Sequence, residues 1–424
     1  MRMTPIPAQL PILVLGAGPA GIAAAEAASA SGHPVLLIDE NPSPGGQVWR
    51  GGPARWGDGR ADRLWSQLRA RTHLEFFGGA RAVARAGERA LLVESAGGAR
   101  VVAWEQIIVC SGARELLLPF PGWTLPGVTG AGGLQALVKG GMPVAGKRVV
   151  VAGSGPLLLA VAATLRQQGA QIAAIVEHRR TADLARFAGR LALAHREKLL
   201  QSLRLAAALR GVPYLRGAVV TEALGHGRLE RVVIDHGGKS DDLACDFLAC
   251  GFGLTASLET AGLFGCATGH GRVLVDDRQR TSAAGVWAAG ESTGIGGVDK
   301  ALAEGRIAGL AAVGEAPSAA DLSARSQARA FAALLAQAFA PSPALKALCS
   351  ASTIVCRCED VRAGDLARHA GWREAKLQTR LGMGPCQGRV CGAACGFLYG
   401  WEAPGQRQPV FPVDAGALAL VGKA

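Results

Sequence analysis

Short apolar runs alternate with longer alanine- and leucine-rich segments along most of the chain. The first run is Ile12-Leu13-Val14-Leu15, and an alanine-rich segment then extends to Ala30 before a second run at residues 35–38. A short continuous apolar run is typical of a buried strand, and a longer segment of a helix. The pattern therefore predicts a βαβ unit near the amino terminus. Residues 106–110 predict a further buried strand, and alternating residues at 80–84 and 90–94 predict a small antiparallel sheet.

The turn between the first strand and helix carries three glycines in the pattern Gly16-x-Gly18-x-x-Gly21. The first permits a tight turn, the second lets a pyrophosphate approach the backbone, and the third lets the helix pack on the strand. Asp39 ends the second strand, where an acid can bond a ribose hydroxyl. The sequence therefore predicts a dinucleotide site. The alternative is an ordinary βαβ unit with a glycine-rich turn.

Three later segments are expected to return to this turn. The loop at residues 41–47 is rich in turn-forming residues, and the strand at 106–110 ends at Ser111-Gly112. A strand ending at Gly290-Glu291 places an acid where it can hold the ribityl or pyrophosphate region of a flavin, and the following helix amino terminus can stabilise an anionic reduced flavin. The residues predicted to bind this first cofactor are Gly16, Gly18, Pro19, Ala20, Gly21, Asp39, Glu40, Gly46, Gln47, Ser111, Gly112, Gly290 and Glu291.

A second βαβ pattern follows a Pro- and Gly-rich crossing. Its turn contains Gly153 and Gly155, and its second strand ends at Glu177. Leu158 occupies the third glycine position, which weakens the case for tight nucleotide binding. Glu177 would suit a ribose hydroxyl, and the basic turn at 178–180 could meet a 2′-phosphate. Two interpretations stay open: a nucleotide bound at Gly153, Gly155 and Glu177, or a domain without one.

Composition excludes several functional classes. The chain of 424 residues has a formal net charge of +12, but its basic residues are spread out and it has only two Tyr, which argues against nucleic-acid binding. No stretch approaches the roughly 20 apolar residues that cross a bilayer, and the first apolar run is not an export signal. We therefore expect no transmembrane segment and a cytoplasmic location. Ten Cys in such a chain indicate reduced thiols or metal ligands.

A cysteine cluster near the carboxyl terminus indicates a metal centre. Cys356 and Cys358 are separated by one residue, and Cys386 and Cys391 by four. The segment between the pairs, beginning with residues 361–370, is predicted to be helical, so four thiolates can meet. Surrounding glycines leave amides free to bond cluster sulfurs. The bound group could be a zinc ion or a [2Fe–2S] cluster. The two-residue spacing of a zinc knuckle is absent from both Cys pairs, and the cysteines share a chain with a flavin domain, so iron–sulfur is favoured. Cys395 is an alternative to Cys391.

These segments predict an α/β fold with two Rossmann-type dinucleotide-binding domains and a small helical [2Fe–2S] domain at the carboxyl terminus. The predicted division is residues 1–125 and 266–315 for the FAD domain, 126–265 for the second dinucleotide-type domain, 316–345 for a linker with a helix, and 346–424 for the cluster domain and tail.

The motifs resemble those of the two-dinucleotide-domain flavoproteins related to thioredoxin and glutathione reductases. The matching segments are Gly16–Gly21 with Asp39, Gly45–Gln47, Cys110–Ala113, Gly153–Pro156 and Ala289–Glu291. Glu291 departs from the Asp usual there. The redox Cys-x-x-Cys of the disulfide reductases is missing, which argues against disulfide reduction.

A closer resemblance covers nearly the whole chain. Asp39–Pro42, Pro44–Gln47, the turn at 153–159 and the Cys-rich tail are similar to the α-type subunits of bacterial multi-subunit amine and imino-acid dehydrogenases. That group includes D-hydroxyproline dehydrogenase, octopine and nopaline oxidases, and the cyanide-forming glycine dehydrogenase. The tail resembles the bacterioferritin-associated ferredoxin module, except that four residues instead of two separate the later Cys pair.

The resemblance implies a division of labour between subunits. A separate β subunit of the amino-acid-oxidase type would oxidise the C–N bond on its own FAD, and this chain would pass electrons onward through FAD and [2Fe–2S]. Some relatives hold FMN between subunits and add a small ferredoxin-like subunit. No grouping of His, Tyr and Arg here predicts a catalytic residue. D-Hydroxyproline is the first candidate substrate. The alternatives are a self-contained NAD(P)H-dependent reductase with its nicotinamide in the second unit, and a non-enzymatic redox sensor or scaffold.

Overall fold

The computed structural model describes residues 11–403, 405 and 407–421. The chain forms two compact units. The first unit comprises residues 1–114, 256–333 and 405–424, and the second comprises 115–255 and 334–404. The chain thus passes between units at residues 114/115 and 255/256, whereas the sequence pattern put these crossings at 125/126 and 265/266. The Cys-rich segment groups with the second dinucleotide-type fold.

Strands and helices alternate along the described residues. The strands are β1 (Ile12–Leu15), β2 (Val35–Asp39), β3 (Leu74–Gly78), β4 (Ala80–Gly87), β5 (Ala90–Ser95), β6 (Gly98–Ala103), β7 (Gln106–Val109), β8 (Ala113–Glu115), β9 (Val128–Gly130), β10 (Arg148–Gly153), β11 (Gln171–Glu177), β12 (Tyr214–Arg216), β13 (Ala218–Leu224), β14 (Arg231–His236), β15 (Lys239–Ala244), β16 (Phe247–Gly251), β17 (Leu254–Ala256), β18 (Thr268–Gly269), β19 (Arg272–Val273), β20 (Val286–Ala288), β21 (Ile354–Cys356) and β22 (Val361–Arg362). The α-helices are α1 (Pro19–Ala30), α2 (Gly59–Arg69), α3 (Ala131–Lys139), α4 (Pro156–Gln167), α5 (Thr181–Ala194), α6 (Arg196–Ala208), α7 (Glu259–Leu263), α8 (Val298–Ala312), α9 (Ala319–Phe339), α10 (Ala363–Leu366), α11 (Trp372–Thr379), α12 (Cys391–Tyr399) and α13 (Ala415–Leu418).

A parallel five-stranded sheet organises the first unit. Its order is β20-β7-β1-β2-β3, and every residue of β1 and β2 is buried. Helix α1 packs against α8, where small residues allow the two backbones to approach. A Cβ on Gly305 would lie 2.1 Å from the Ala20 carbonyl oxygen, and one on Gly309 would lie 2.3 Å from that of Ala24. The antiparallel sheet predicted at 80–94 is present as β4-β5-β6.

The second unit repeats the parallel design. Its five-stranded sheet has the order β12-β11-β10-β16-β9, and β13-β14-β15 form a separate antiparallel sheet. Leu158, at the third glycine position of the turn, is fully buried. A Cβ on Gly251 of the neighbouring strand would lie 2.9 Å from Leu158 Cδ2. The glycine missing from the helix is therefore compensated by one on the adjacent strand.

The Cys-rich segment of the second unit is built from the β21–β22 hairpin and helices α10, α11 and α12. Its own buried core includes Val355, Leu366, Trp372 and Leu381. The helix predicted from residue 361 to residue 370 is shorter in the structure. Helix α10 ends at Leu366, and α11 begins at Trp372 after a fully extended Gly371. Across the described part of the chain, no helix is long and apolar enough to span a membrane.

Candidate cofactor sites

Two glycines of the first turn are required by close packing. Gly16 has φ +107°, and a Cβ there would lie 2.3 Å from the Cys110 carbonyl oxygen. A Cβ on Gly21 would lie 1.7 Å from the Gly16 carbonyl oxygen. Because no side chain fits at either position, the turn can bring β1, β7 and the start of α1 together only with glycine.

Gly18 leaves an open cradle at the start of α1. It is the residue preceding the helix, and no side chain caps the helix there. The nearest atom to a Cβ on Gly18 would be the Gly46 Cα, at 4.0 Å. Gly46 has φ +58° and faces Gly18 in turn, and the Gly45 amide donates to the Ala17 carbonyl at 2.7 Å. A cradle of backbone at a helix amino terminus, with space that a side chain would fill, fits a pyrophosphate.

Asp39 anchors the turn from the end of β2. Its Oδ2 accepts the Ala17 amide at 2.6 Å, and its Oδ1 accepts the amide and side-chain nitrogen of Asn41 at 2.7 and 2.8 Å. The carboxylate therefore fixes the turn, and only its remaining lone pairs are left for the predicted ribose bond. Sequence reasoning missed the Asn41 contacts, although an Asp side chain commonly accepts a hydrogen bond from the backbone amide two residues later in the chain. The neighbouring Glu40 is exposed.

The other predicted residues around this turn have defined partners. The Ser111 hydroxyl donates to the Ser257 carbonyl at 2.7 Å, and Gly112 has φ +69°. Gln47 is exposed, and its side chain accepts from Arg50 at 3.0 Å. The structure thus places Ser111 and Gly112 at the end of β7, beside the strand that leads into the glycine turn.

Glu291 holds the loop that precedes α8. Its two carboxylate oxygens accept the amides of Gly296 and Gly297 at 3.0 and 2.7 Å. Burial raises the pKa of Glu291, and these amides together with the Lys300 charge oppose the rise. A Cβ on Gly290, which has φ +79°, would lie 2.7 Å from the Ala20 Cβ. The Gly290-Glu291 motif therefore lies against α1, close to the residues of the cradle.

Sequence reasoning missed a buried ionic network beneath this loop. Lys300 Nζ donates to the Gly290 carbonyl at 2.8 Å and to Glu304 Oε2 at 2.7 Å. Glu304, fully buried, also accepts the Gly290 amide at 3.1 Å and Arg329 Nε at 2.8 Å. Both polar groups of the Gly290 peptide are thereby fixed. Lys300 and Glu304 are four residues apart on α8, a spacing from which the ion pair could have been predicted.

The turn of the second unit has a similar anchor. Glu177 is fully buried, and its carboxylate accepts the amides of Gly155 and Arg179 at 2.8 and 2.9 Å. Burial raises the pKa of Glu177 against the opposing effect of these hydrogen bonds. With no exposed surface, the carboxyl cannot reach a ribose hydroxyl unless the turn opens.

The chain itself covers this second turn. The Phe339 ring lies 3.3 Å from the position of a Cβ on Gly155, and it packs edge to face on Phe187 with ring centres 4.8 Å apart. The Arg179 guanidinium donates to the Ala340 carbonyl. An aromatic side chain therefore lies directly over the glycine at which a pyrophosphate would approach.

The four predicted thiol ligands come together as two pairs. The Cys391 thiol donates to the Cys356 sulfur, and this hydrogen bond, opposed by burial, lowers the pKa of Cys356 to about 6. The amides of Gly382, Cys358 and Glu359 also point at the Cys356 sulfur and act in the same direction. Cys358 and Cys386 form the other hydrogen-bonded pair, and burial raises the pKa of Cys358.

The two candidate fourth ligands have different surroundings. The pKa of Cys391 is raised chiefly by its hydrogen bond to Cys356, whereas Cys395 is near Cys356 and Cys349 and has a pKa raised mainly by burial. Among residues 11–403, 405 and 407–421, no three His, Cys, Asp or Glu side chains form a group that could hold a metal ion as they stand. Two thiol pairs with amides aimed at sulfur are a donor set that suits a two-iron cluster, in which each iron takes two thiolates.

Comparison with known proteins places the chain in a family. The sequence profile of the pyridine nucleotide-disulphide oxidoreductases matches residues 10–305. The chain belongs to this family. It is 31% identical to hydrogen cyanide synthase subunit HcnB of Pseudomonas aeruginosa, over 95% of this chain and 96% of that protein. It is 32% identical to an opine oxidase subunit of Agrobacterium tumefaciens, over 96% of this chain and 88% of that protein.

Solved structures show the same fold. L-Proline dehydrogenase from P. horikoshii matches with a TM-score of 0.70 at 19% identity, over 96% of this chain and 79% of that chain. Thioredoxin reductase from T. acidophilum matches with a TM-score of 0.55 at 21% identity, over 72% of this chain and 98% of that chain. The predicted thioredoxin-reductase-like α/β fold is confirmed, and so is the prediction of a FAD-dependent oxidoreductase whose relatives are subunits of larger enzymes.

Proposed function

We propose that this chain is the electron-transferring FAD and [2Fe–2S] subunit of a multi-subunit amine or imino-acid dehydrogenase. In this proposal a partner β subunit of the amino-acid-oxidase type oxidises the C–N bond. One observation carries the proposal: the same chain has a backbone cradle at Gly18 and Gly46 and two thiol pairs formed by Cys356 with Cys391 and Cys358 with Cys386. The relatives are subunits of cyanide synthase and opine oxidase, which supports a role inside a complex.

The first unit supplies the groups that would hold FAD. Gly18 and Gly46 present backbone to the pyrophosphate, and Asp39 fixes the turn through the Ala17 amide. Glu291 and the Lys300 network hold the loop before α8 in one conformation. Bound FAD accepts two electrons together and releases them singly, which is the chemistry needed between an amine and an iron–sulfur cluster.

The second unit supplies the thiolates. The Cys391 thiol and three amides stabilise the negative charge of Cys356 and lower its pKa to about 6. Backbone amides point at the Cys356 sulfur, as they do at cluster sulfurs, and the same chain carries the candidate flavin cradle. These two features support iron–sulfur over zinc.

A self-contained NAD(P)H reductase is the second candidate, and the cover over the second turn counts against it. Phe339 lies over Gly155 and Glu177 is fully buried, so a nucleotide would have to displace the chain's own ring. NADH added anaerobically to the pure protein should leave the flavin yellow. Bleaching by NADH would support the reductase instead. A redox sensor or scaffold would be favoured if the chain were isolated without an oxidase-like partner and were inactive with amines.

The finer assignments follow from the family resemblance. D-Hydroxyproline is the first candidate substrate, FMN is placed at the interface with the β subunit, and a small ferredoxin-like third subunit is a candidate partner. We place the complex in the cytoplasm. No catalytic residue for C–N oxidation is assigned to this chain.

The direct test is recovery of the complex followed by an activity screen. Tagged chain is purified from its source together with its partners, which mass spectrometry identifies. The complex is then assayed with D-hydroxyproline, opines and glycine and a dye acceptor. We expect an amino-acid-oxidase-type partner and amine-dependent dye reduction. A Cys386→Ser variant should lose electron transfer through this chain. A catalytically active chain without any partner would contradict the proposal.

A further inference from the structure

A small cavity in the second unit lies beside the Cys-rich segment. Its volume is about 160 Å³, and it is partly open to solvent. Leu117, Leu118, Phe120 and Trp123 provide apolar walls. A cavity of this size with apolar walls accommodates a single six-membered ring.

Arg357 places a positive charge at this cavity. It lies in sequence between two of the proposed cluster ligands, Cys356 and Cys358, and it lines the cavity. The guanidinium carbon lies 5.8 Å from the centre of the Trp123 ring. Among the residues that the structure describes, Arg357 makes no ion pair and no hydrogen bond. Its donors are therefore available to a ligand.

Trp123 is fixed in the wall of the cavity. Its Nε1 donates to the Ile354 carbonyl at 2.6 Å, and the ring is 5% exposed. Ile354 begins the strand that ends at Cys356. The same short segment thus sets one wall of the cavity and one of the proposed cluster ligands, which places the cavity next to the thiol pairs.

We infer that this cavity binds a small quinone, the acceptor that takes electrons from the Cys-bound cluster. The inference rests on the proposed function. The apolar walls suit a quinone ring, and a few polar groups at the rim set ligand orientation. The Arg357 guanidinium can donate to a quinone carbonyl oxygen and stabilises the negative charge that the ring gains on reduction.

The reaction balances with the electrons that amine oxidation supplies. One quinone takes two electrons and two protons and becomes a hydroquinone. A cluster held by these cysteines would supply the electrons singly, and they would originate as the pair removed from the substrate C–N bond. The protons would come from solvent, and no bond between quinone and protein forms or breaks.

The binding test uses duroquinone, because its ring is fully methylated and thiols cannot add to it. Calorimetric titration of the full-length protein should detect one binding site. Leu118→Trp fills the cavity and should weaken binding at least tenfold, and Val128→Phe is a second filling variant in case the first fails to fold. Arg357→Lys keeps the charge and should retain more binding than Arg357→Gln. Absence of binding to the folded wild type, or equal binding by a folded filling variant, would overturn the inference.

A second readout separates this inference from the proposed function. Protein reduced anaerobically with dithionite is mixed with duroquinone, and the return of visible absorption is followed. Arg357→Gln should slow the return at least tenfold relative to Arg357→Lys. Iron-containing wild type that binds no duroquinone overturns the quinone site and leaves the function standing. Duroquinone binding by a chain that holds no iron overturns the function and leaves the site standing.

Discussion

Gly18→Val tests the pyrophosphate cradle without disturbing the turn that forms it. The backbone at Gly18 has φ −73° and ψ −176°, which any residue adopts. A Cβ there has no neighbour closer than 4.0 Å. The substitution should therefore change the free energy of unfolding of the FAD-free protein by no more than about 0.5 kcal/mol.

The same side chain projects into the space that the pyrophosphate needs. Overpacking of a fitted site typically costs about 1–3 kcal/mol, which corresponds to a rise in Kd of roughly 5- to 150-fold. The Kd for FAD is measured by titrating FAD-free protein and following flavin fluorescence. Thermal unfolding of the same FAD-free samples reports stability separately.

Two comparisons make the result specific. Gly59→Val, at the exposed start of α2, should change neither FAD affinity nor stability, because its Cβ meets only the flexible Arg63 side chain at 3.6 Å. Gly21→Ala should destabilise the fold itself, because its Cβ would lie 1.7 Å from a carbonyl oxygen. A Gly18→Val protein that binds FAD as tightly as wild type would refute the assignment of the cradle.

Four further substitutions test other parts of the structure. Cys356→Ser should remove iron and visible cluster absorption while FAD stays bound, whereas Cys395→Ser should keep its iron; metal analysis of both variants decides whether the thiol pairs are the ligands. Lys300→Met should lower the free energy of unfolding by about 3 kcal/mol because it leaves Glu304 short of a buried partner; an unchanged denaturant midpoint would count against the network. Hydrogen bonds from Arg60 lower the pKa of Asp58 to about 2. Asp58→Asn should therefore destabilise the protein by roughly 1 kcal/mol at pH 7, and this loss should persist to about pH 4 and disappear as the pH falls through 2. The measurement is the difference in free energy of unfolding between variant and wild type across this pH range.

The first dinucleotide fold could be predicted because its signals are local. The apolar strand, the glycine turn and the acid at the end of β2 lie within one βαβ unit, and each glycine acts on atoms nearby. The sequence predicts that Asp39 bonds a ribose hydroxyl, and the structure shows that its carboxylate also accepts the Ala17 and Asn41 amides. Spacing placed the carboxylate correctly but could not reveal which protein groups it already serves.

The second turn shows where sequence reasoning stops. Leu158 in place of the third glycine suggested poor nucleotide binding, but the compensating Gly251 lies on a strand distant in sequence. Phe339, at the end of a long helix, carries no pattern that predicts its position over Gly155. Contacts between segments so far apart depend on the packing of the whole unit, which periodicity does not encode.

The thiol cluster is an intermediate case. The sequence supplied two Cys pairs by spacing, and the structure pairs them crosswise, Cys356 with Cys391 and Cys358 with Cys386. Cys356 ends β21 and Cys358 lies in the turn that follows, so the two side chains do not share one strand face and each meets a partner from the later segment. That outcome depends on the hairpin formed by β21 and β22.

The most direct measurement is the FAD and iron content of full-length protein purified without oxygen, with its visible spectrum and the electron paramagnetic resonance of the reduced sample. One FAD and about two irons per chain, with the signal of a reduced [2Fe–2S] cluster, are the predicted result. Flavin without iron, or one zinc ion in place of iron, would contradict the proposed electron path.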